Sequence, residues 1–126
     1  MPKREGLKER LAPPGAGLAQ LRQIEISVIG RRSGRRLSMP VWFVLEGNWL
    51  YLLPVRGSDT QWYKNLLRKP RIRISARGHK AEFRATPITR RAGVAAVIRK
   101  FGRKYKARIV RQLYFKFDVA VRVNLG

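Results

Sequence analysis

The stretch from Gly30 to Arg36 has the residue types that hold an anion. Its sequence, GRRSGRR, places four arginines and one serine around two glycines. Glycine permits positive φ angles, which let several backbone N–H groups point into one concavity, and guanidinium groups match the paired oxygens of phosphate or carboxylate. A solvated basic hairpin turn is the competing interpretation, because a short motif is only a hypothesis. Both interpretations stay open at this point.

A second group of residues lies where an apolar run gives way to a helical pattern. Arg56-Gly57-Ser58 follows the apolar run and precedes Trp62 and Asn65. A Gly-Ser step ahead of a helix can present N–H groups to a ligand carbonyl or phosphate, with Arg56 beside it. The alternative is a plain strand-to-helix turn, and for Trp62 and Leu66 a position in the core is the better description.

Other residues offer little independent chemistry. The single histidine, His79, falls in a predicted hairpin turn and is not expected to serve as the base of a catalytic triad. The seven acidic residues are scattered and cysteine is absent, so the sequence predicts no metal site, no disulfide and no thiolate nucleophile. If the protein is an enzyme, we expect a cofactor to supply the reactive centre.

The composition predicts one globular domain with a strong attraction to anions. The 126 residues are 44% hydrophobic, and 29 Lys and Arg against 7 Asp and Glu give a net charge of +22. That charge attracts nucleic acid, an anionic membrane or an acidic cofactor alike. We expect a domain over 23–126, after a basic segment and linker over 1–22 in which 3–12 can form a helix. The expected location is cytoplasmic, with a peripheral position at the inner membrane face as the alternative.

Alternation of apolar and polar residues predicts most of the strands. Two apolar runs, 38–45 and 48–55, flank Glu46-Gly47, and we interpret them as the central antiparallel strands. Both runs are apolar on both faces, which suits a sheet that curls into a barrel or is covered by helices. The predicted strands cover residues 24–29, 38–45, 48–55, 71–77, 80–87 and 119–123.

Apolar spacing predicts two helices. The first is capped by Ser58 or Asp59 and ends at Pro70, with three inward residues, Trp62, Leu66 and Leu67. The second is capped by Thr89, with five inward residues, Val94, Val97, Ile98, Phe101 and Tyr105. The order βββαββαβ has tight hairpins and no regular βαβ alternation. It therefore predicts a mainly β (α+β) fold, an antiparallel barrel with helices packed outside.

In order and approximate spacing, four short motifs resemble the deazaflavin-dependent nitroreductase family. These motifs are Gly30–Arg35, Pro40–Val44, Arg56–Ser58, and Trp62–Leu66 with Pro70. The resemblance implies a split antiparallel β-barrel of the flavin-reductase type, with two or three helices outside. It also implies an oxidoreductase that binds the deazaflavin coenzyme F(420) and transfers a hydride from the reduced deazaflavin to an electron-poor organic substrate.

The same resemblance implies roles for individual residues. The phosphate and oligoglutamate tail of the coenzyme would lie along Arg31, Arg32, Ser33, Gly34 and Arg35. The loop and helix near the deazaflavin ring would contribute Arg56, Gly57, Ser58, Trp62 and Asn65. Tyr105 and Tyr114 match the tyrosines that shape the substrate pocket, and they are the expected catalytic residues.

Other ligands and partners stay open. FMN also suits split barrels, although its lack of a glutamate tail gives less reason for the paired arginines after Gly34. Related barrels hold haem or a fatty acid without this hydride-transfer chemistry. A basic nucleic-acid-binding barrel is a further alternative, in which Trp42, Trp49 and Tyr51 stack on bases. The basic N-terminus can attach to an anionic membrane, and split barrels often form homodimers.

Overall fold

A computed structural model describes residues 18–126, which form seven strands and three helices. The strands are β1 (Ile24–Ile29), β2 (Arg36–Val41), β3 (Val44–Glu46), β4 (Trp49–Leu52), β5 (Arg71–Ala76), β6 (His79–Ile88) and β7 (Ala120–Asn124). The helices are α1 (Gln61–Arg68), α2 (Arg91–Tyr105) and α3 (Ala107–Leu113), with short 3-10 turns at Leu18–Gln20 and Gly57–Asp59. No helix in this part of the chain is long and apolar enough to cross a membrane.

The strands form one antiparallel sheet that curls into a split barrel. Their order across the sheet is β2-β1-β5-β6-β7-β4-β3. The strands at the two edges, β2 and β3, are separated in sequence only by Trp42 and Phe43. Because two residues cannot cross a flat sheet of seven strands, the sheet must curl until its edges approach each other. This architecture confirms the predicted split barrel with helices outside.

The apolar residues pack into two clusters, one on each side of the sheet. The first fills the barrel, and its largest members include Ile26, Leu50, Leu52, Ile72, Ile74 and Phe83. The second lies between the outer side of the sheet and helices α2 and α3, and it includes Val44, Leu53, Val97, Phe101, Tyr105, Val110 and Tyr114. The predicted inward positions of α2 are confirmed, with Ile98 only partly buried.

The interpretation of runs 38–45 and 48–55 as the central strands is wrong. Run 38–45 is divided between β2 and β3, which are the two edges of the sheet, and β4 lies next to β3. The two apolar faces of the runs do fit a curled sheet that is covered by helices. One face packs inside the barrel, and on β3 and β4 the other face is covered by the second apolar cluster.

The predicted helix caps are also wrong. Thr60 is the N-cap of α1, because Ser58 is bonded instead to the carboxylate of Asp118, and Arg90 rather than Thr89 is the N-cap of α2. Leu67 is 54% exposed, so it does not point inward. The buried residues of α1 are Trp62, Tyr63, Asn65 and Leu66.

The predicted helix over 3–12 lies outside the described residues, as does most of the predicted segment 1–22. Within the part that is described, Leu18 is 1% exposed and belongs to the core inside the barrel. The domain boundary at residue 23 stays a prediction.

A tyrosine hydroxyl holds the break between β2 and β3. Tyr105, at the end of α2, is 2% exposed, and burial raises its pKa. Its hydroxyl accepts a hydrogen bond from Phe43 N–H at 3.1 Å and lies 2.7 Å from Arg22 O and 2.8 Å from Phe43 O, to either of which it can donate. The Tyr105 ring stacks on Trp42, with centroids 4.2 Å apart. Tyr105 therefore joins α2 to the two-residue connection that closes the barrel.

Replacing Tyr105 with phenylalanine leaves the buried Phe43 N–H without its acceptor. We expect Tyr105→Phe to lower the free energy of unfolding by about 1–3 kcal/mol, the usual cost of an unsatisfied buried polar group. Denaturant titration followed by tryptophan fluorescence measures the loss. Tyr114→Phe is the matched control, because the Tyr114 hydroxyl has no hydrogen-bond partner among residues 18–126. Equal losses in the two variants would contradict the role given to Tyr105.

Candidate functional site

A cavity of about 740 Å³ lies beside the edge strand β2, within the usual range for small-molecule sites. Three structural regions supply most of its walls: β2 with the connection after it, the segment between β4 and α1, and the end of α3. The apolar lining residues are Met39, Pro40, Val41, Trp42, Leu53, Val55, Trp62, Leu113 and Tyr114, and the polar ones are Gln23, Arg56, Asp59, Thr60 and Gln61. Mainly apolar walls with a polar rim suit a flat organic ring.

The basic stretch between β1 and β2 is a hairpin turn, as predicted. Gly30 N–H donates to Arg35 O at 2.7 Å, and Gly34 N–H donates to Gly30 O at 2.9 Å. Gly34 has a φ of 72°, which favours glycine. A Cβ on Gly30 would lie 2.7 Å from the Ser33 Oγ, so a side chain there would displace the Ser33 hydroxyl. The conformation of the turn therefore favours glycine at position 34, and position 30 is tightly packed.

Helix α1 fixes one arginine of the turn. Asn65 is 4% exposed, and its Oδ1 accepts hydrogen bonds from Arg31 N–H at 3.0 Å and from Arg31 Nη1 at 2.8 Å. Arg31 Nη2 also donates to Gln61 Oε1 at 2.9 Å. Asn65 and Gln61 lie one helical turn apart, so they reach the same guanidinium group. The structure thus brings Arg31 and Asn65 together, with Asn65 as a support of the turn.

Two other arginines of the turn, Arg32 and Arg35, are not fixed in the way that Arg31 is. Arg32 and Arg35 are exposed, and their side chains have no hydrogen-bond or ion-pair partner among residues 18–126. A pocket of about 290 Å³ lies at the turn, lined by Gly30, Arg31, Arg32, Ser33, Leu37, Gln61 and Asn65. Gln61 also lines the 740 Å³ cavity. The basic turn and the apolar cavity are therefore neighbours that share Gln61 of α1.

The Gly57-Ser58 step does not present its donors to a ligand. Ser58 N–H donates to Asp118 Oδ1 at 2.9 Å, and the Ser58 hydroxyl donates to Asp118 Oδ2 at 2.5 Å. Gly57 N–H donates to Pro54 O at 3.0 Å. Gly57 and Ser58 do not line the cavity, whereas Arg56 and Trp62 do. The carboxylate of Asp118, a residue that the sequence did not mark as part of a site, accepts both hydrogen bonds from Ser58.

The two predicted tyrosines have different surroundings. Tyr114 lines the cavity, and burial raises its pKa well above the ordinary value, with a smaller contribution from Tyr105. Tyr105 does not line the cavity, and its hydroxyl is bonded to the main chain of Phe43 and Arg22. Of the two residues, Tyr114 is thus the one next to the space a substrate can enter.

A lysine lies under the closing connection. Lys104 Nζ donates to Phe43 O at 2.9 Å and lies 3.7 Å from the centroid of the Phe43 ring. Burial, together with the charge of Arg22, lowers the pKa of Lys104 to about 8. The carbonyl and the ring face favour the charged amine and so oppose the effect of burial. Lys104 does not line the cavity, so its role here is to support the connection.

The aromatic residues considered for base stacking do not share one accessible surface. The face of Trp42 is stacked on Tyr105. Trp49 is 37% exposed, with the Arg122 guanidinium 4.9 Å from its ring centroid. Tyr51 is partly buried against the second apolar cluster. The arrangement therefore does not supply the stacking platform that this alternative requires.

Within residues 18–126, no cluster of three or more His, Cys, Asp or Glu residues can hold a metal ion. His79 is exposed at the start of β6 and does not line the cavity.

Several cavity residues were missed by the sequence analysis. They are Gln23, Met39, Leu53, Asp59, Thr60, Gln61 and Leu113. Most are ordinary strand, turn and helix residues, and only their position beside an edge strand makes them part of a site. The polar Gln61, one helical turn before Asn65, was the one signal available in the sequence.

Comparisons with known proteins give one family match and several similar folds. A family model described as an uncharacterized protein conserved in bacteria (DUF2255) matches residues 16–122. No curated protein matches the sequence. A structure of an F(420)-H2 dependent reductase (FDR-A) has a TM-score of 0.64 at 14% identity, over 82% of this chain and 94% of that one.

Two further structures have the same fold with different descriptions. A candidate 5-nitroimidazole antibiotic resistance protein from Bacteroides thetaiotaomicron has a TM-score of 0.64 at 16% identity, over 85% of this chain and 74% of that one. HutZ, the heme storage protein from Vibrio cholerae, has a TM-score of 0.63 at 16% identity, over 82% of this chain and 80% of that one. At such identities the likeness establishes the fold, and at that level the resemblance to the deazaflavin-dependent nitroreductase family is confirmed.

Replacing Gly57 with alanine tests the loop that borders the cavity. Gly57 has a φ of 56°, and a Cβ there would collide with Asp118 Oδ1 and lie 3.0 Å from Lys116 O. We expect Gly57→Ala to lower the free energy of unfolding by about 2–4 kcal/mol, from backbone strain and the lost Asp118 contacts.

Gly47→Ala is the control for this variant, because Gly47 has a φ of 59° with open space around it. Backbone strain alone makes its expected cost about 1 kcal/mol. Denaturant titration measures both variants. Equal losses would mean that the Asp118 contact does not restrain the loop.

Proposed function

This chain belongs to the bacterial protein family DUF2255, and we propose that it is a reductase that uses the deazaflavin coenzyme F(420). In this proposal the deazaflavin ring occupies the 740 Å³ cavity, and the phosphate and oligoglutamate tail follow the turn Gly30–Arg35. The observation that carries the proposal is the shared boundary of the two sites at Gln61, which lines both and bonds to Arg31.

The chemistry of the turn fits an anionic tail. Arg32 and Arg35 are exposed cations with no partner in the described part of the chain, whereas Arg31 is fixed by Asn65 and Gln61. The Arg31 guanidinium is already fixed on the side of the turn next to the cavity, so it would lose little side-chain entropy on binding a ligand. This supports a position for the coenzyme phosphate at Arg31, close to the ring. The free arginines further along the turn support a tail with several carboxylates.

The walls of the cavity fit a flat ring system. Trp42 is held by its stack on Tyr105, and Trp62 is 8% exposed on a short helix, so both are rigid apolar surfaces. Edge strand β2 has main-chain groups on its open side that are not used by another strand. These groups can hydrogen-bond the polar edge of a ring.

When bound, a reduced deazaflavin supplies a hydride from carbon 5 of its ring. The chain itself would then orient the ring and the acceptor and exclude water between apolar walls. A tyrosine hydroxyl is protonated at neutral pH, and burial raises the pKa of Tyr114 further. The hydroxyl can therefore donate a hydrogen bond in the cavity, and it gives up its proton only to a strongly basic acceptor. We assign the catalytic role to Tyr114 and a structural role to Tyr105.

The alternatives are less well supported by the site. FMN carries a phosphate but no carboxylate tail, so it would leave Arg32 and Arg35 without a use. Haem commonly takes a histidine ligand, and no histidine lines the cavity among residues 18–126. A homodimer and a small-molecule substrate remain part of the proposal.

Removing the two free arginines of the turn tests the cofactor assignment. We expect Arg32→Ala/Arg35→Ala to weaken F(420) binding about a hundredfold, at about 1.5 kcal/mol for each charge-assisted contact. A coenzyme analogue with a shorter glutamate tail should bind the wild-type protein more weakly than F(420) does. The double substitution should weaken binding of this analogue less than it weakens binding of F(420). Fluorescence titration of the coenzyme measures both effects.

Arg91→Ala/Arg99→Ala is the matched control, since both residues are exposed on α2 and the same charge is removed. The control should bind F(420) within a few-fold of wild type. Equal weakening of F(420) binding in both variants would mean that the net charge of the protein, rather than the turn, attracts the coenzyme. Tight binding of FMN or haem without F(420) binding would overturn the proposal.

Tyr114→Phe tests the proton donor. With a nitroaromatic acceptor we expect kcat to fall about a hundredfold while F(420) affinity stays unchanged. Because burial raises the pKa of Tyr114, the wild-type rate should show no ionisation of this residue between pH 6 and 9. Steady-state kinetics across that range measures both. An unchanged kcat would mean that water, rather than Tyr114, returns the proton.

A further inference from the structure

The outer face of β5 and β6 carries a group of cations that the coenzyme site does not use. Across these strands Arg71 lies opposite Arg84, Arg73 opposite Glu82, and Ser75 opposite Lys80. The alternating residues Ile72, Ile74 and Phe83 fill the barrel, so the polar residues face outward. We call Arg36, Arg71, Arg73, Lys80 and Arg84, with Glu82 among them, the basic face.

One carboxylate organises three of these arginines. Glu82 lies 3.1 Å from Arg73, 3.3 Å from Arg36 and 3.8 Å from Arg71, which belong to two strands. Its hydrogen bond from Arg73 and the nearby guanidinium charges lower the pKa of Glu82. Glu82 therefore holds the guanidinium groups close together against their mutual repulsion, and a clear excess of positive charge remains.

We infer that the basic face binds nucleic acid through its phosphate backbone, outside the coenzyme site. Arg71, Lys80 and Arg84 are exposed, and Arg36 and Arg73 are held by hydrogen bonds to Glu82. Guanidinium groups are planar donors that bind phosphate oxygens in pairs. Clustered cations on one face are the electrostatic mark of nucleic-acid binding, and each phosphate contact releases a counterion. The contact is independent of sequence, because no phenylalanine, tyrosine or tryptophan is exposed on β5 or β6.

Charge and surface chemistry favour this partner over two others. A bilayer surface is usually bound by apolar side chains that enter it, and no large apolar side chain is exposed on β5 or β6. A second copy of the chain would bring two faces of the same charge together, which costs energy. Glu25, on the neighbouring strand β1, lies opposite Ser75 rather than opposite Arg71, so no carboxylate lies across from the Arg71–Arg84 pair in the register of these strands.

The first test removes three charges that are not needed to hold Glu82. The variant is Arg71→Gln/Lys80→Gln/Arg84→Gln, in which Arg36 and Arg73 remain on Glu82. The probe is a labelled DNA duplex of about 20 base pairs, titrated between about 0.05 and 0.3 M salt. We expect the slope of log K against log salt to fall by about 2–3 and the affinity at about 0.1 M salt to fall more than a hundredfold.

The control variant removes three exposed arginines from the helices, Arg91→Gln/Arg99→Gln/Arg108→Gln. It should bind the duplex within a few-fold of wild type. Equal losses in the two triple variants would mean that net charge, rather than the basic face, attracts the DNA, and would overturn the inference. So would equal competition by polyglutamate of the same charge, or loss of binding to phosphatidylserine vesicles without loss of DNA binding.

A second test uses the carboxylate itself. Glu82→Gln keeps the shape and one acceptor of the side chain but frees one positive charge, so we expect DNA to bind about eightfold more tightly at about 0.1 M salt. Glu46→Gln is the matched control, because Glu46 pairs with Lys100 and Arg103 away from the basic face. Equal tightening in both variants, or weaker binding of Glu82→Gln with its circular dichroism unchanged, would contradict the inference.

Discussion

The connection of two residues between β2 and β3 is the constraint on which the rest of the structure depends. Trp42 and Phe43 link strands at opposite ends of a sheet of seven, so the sheet has to curl. The cost of interrupting the strand there is offset by Tyr105, whose hydroxyl bonds to Phe43 N–H, and by Lys104, which donates to Phe43 O. The closing of the barrel is thus tied to the packing of α2.

The same connection also builds the cavity. Strand β2 is left as an open edge of the sheet. Trp42 stacks on the Tyr105 ring and also lines the cavity. At the other end of β2, Asn65 and Gln61 of α1 hold the turn through hydrogen bonds to Arg31. Helix α1 begins directly after the segment from β4 that forms another wall of the cavity. The apolar cavity and the basic turn are therefore set side by side by the two ends of one short strand.

The sequence was sufficient for local features and for the fold class. Alternation located β1, β5 and β6, the two glycines located the basic turn, and the motif order indicated the split barrel. The sequence was insufficient where contacts between distant residues determine the position or the partner of a side chain. The edge positions of β2 and β3, the exposure of Leu67 and the capture of Ser58 by Asp118 all depend on residues distant in sequence. Patterns within one element carry no information about such partners.

The central claim is that one anionic ring coenzyme spans the cavity and the turn. A crystal structure of the protein with F(420) tests it most directly. We expect electron density for the ring between Trp42 and Trp62, with the tail continuing past Gln61 to Arg32 and Arg35. Density for the ring elsewhere, or a tail that leaves the turn unoccupied, would contradict it.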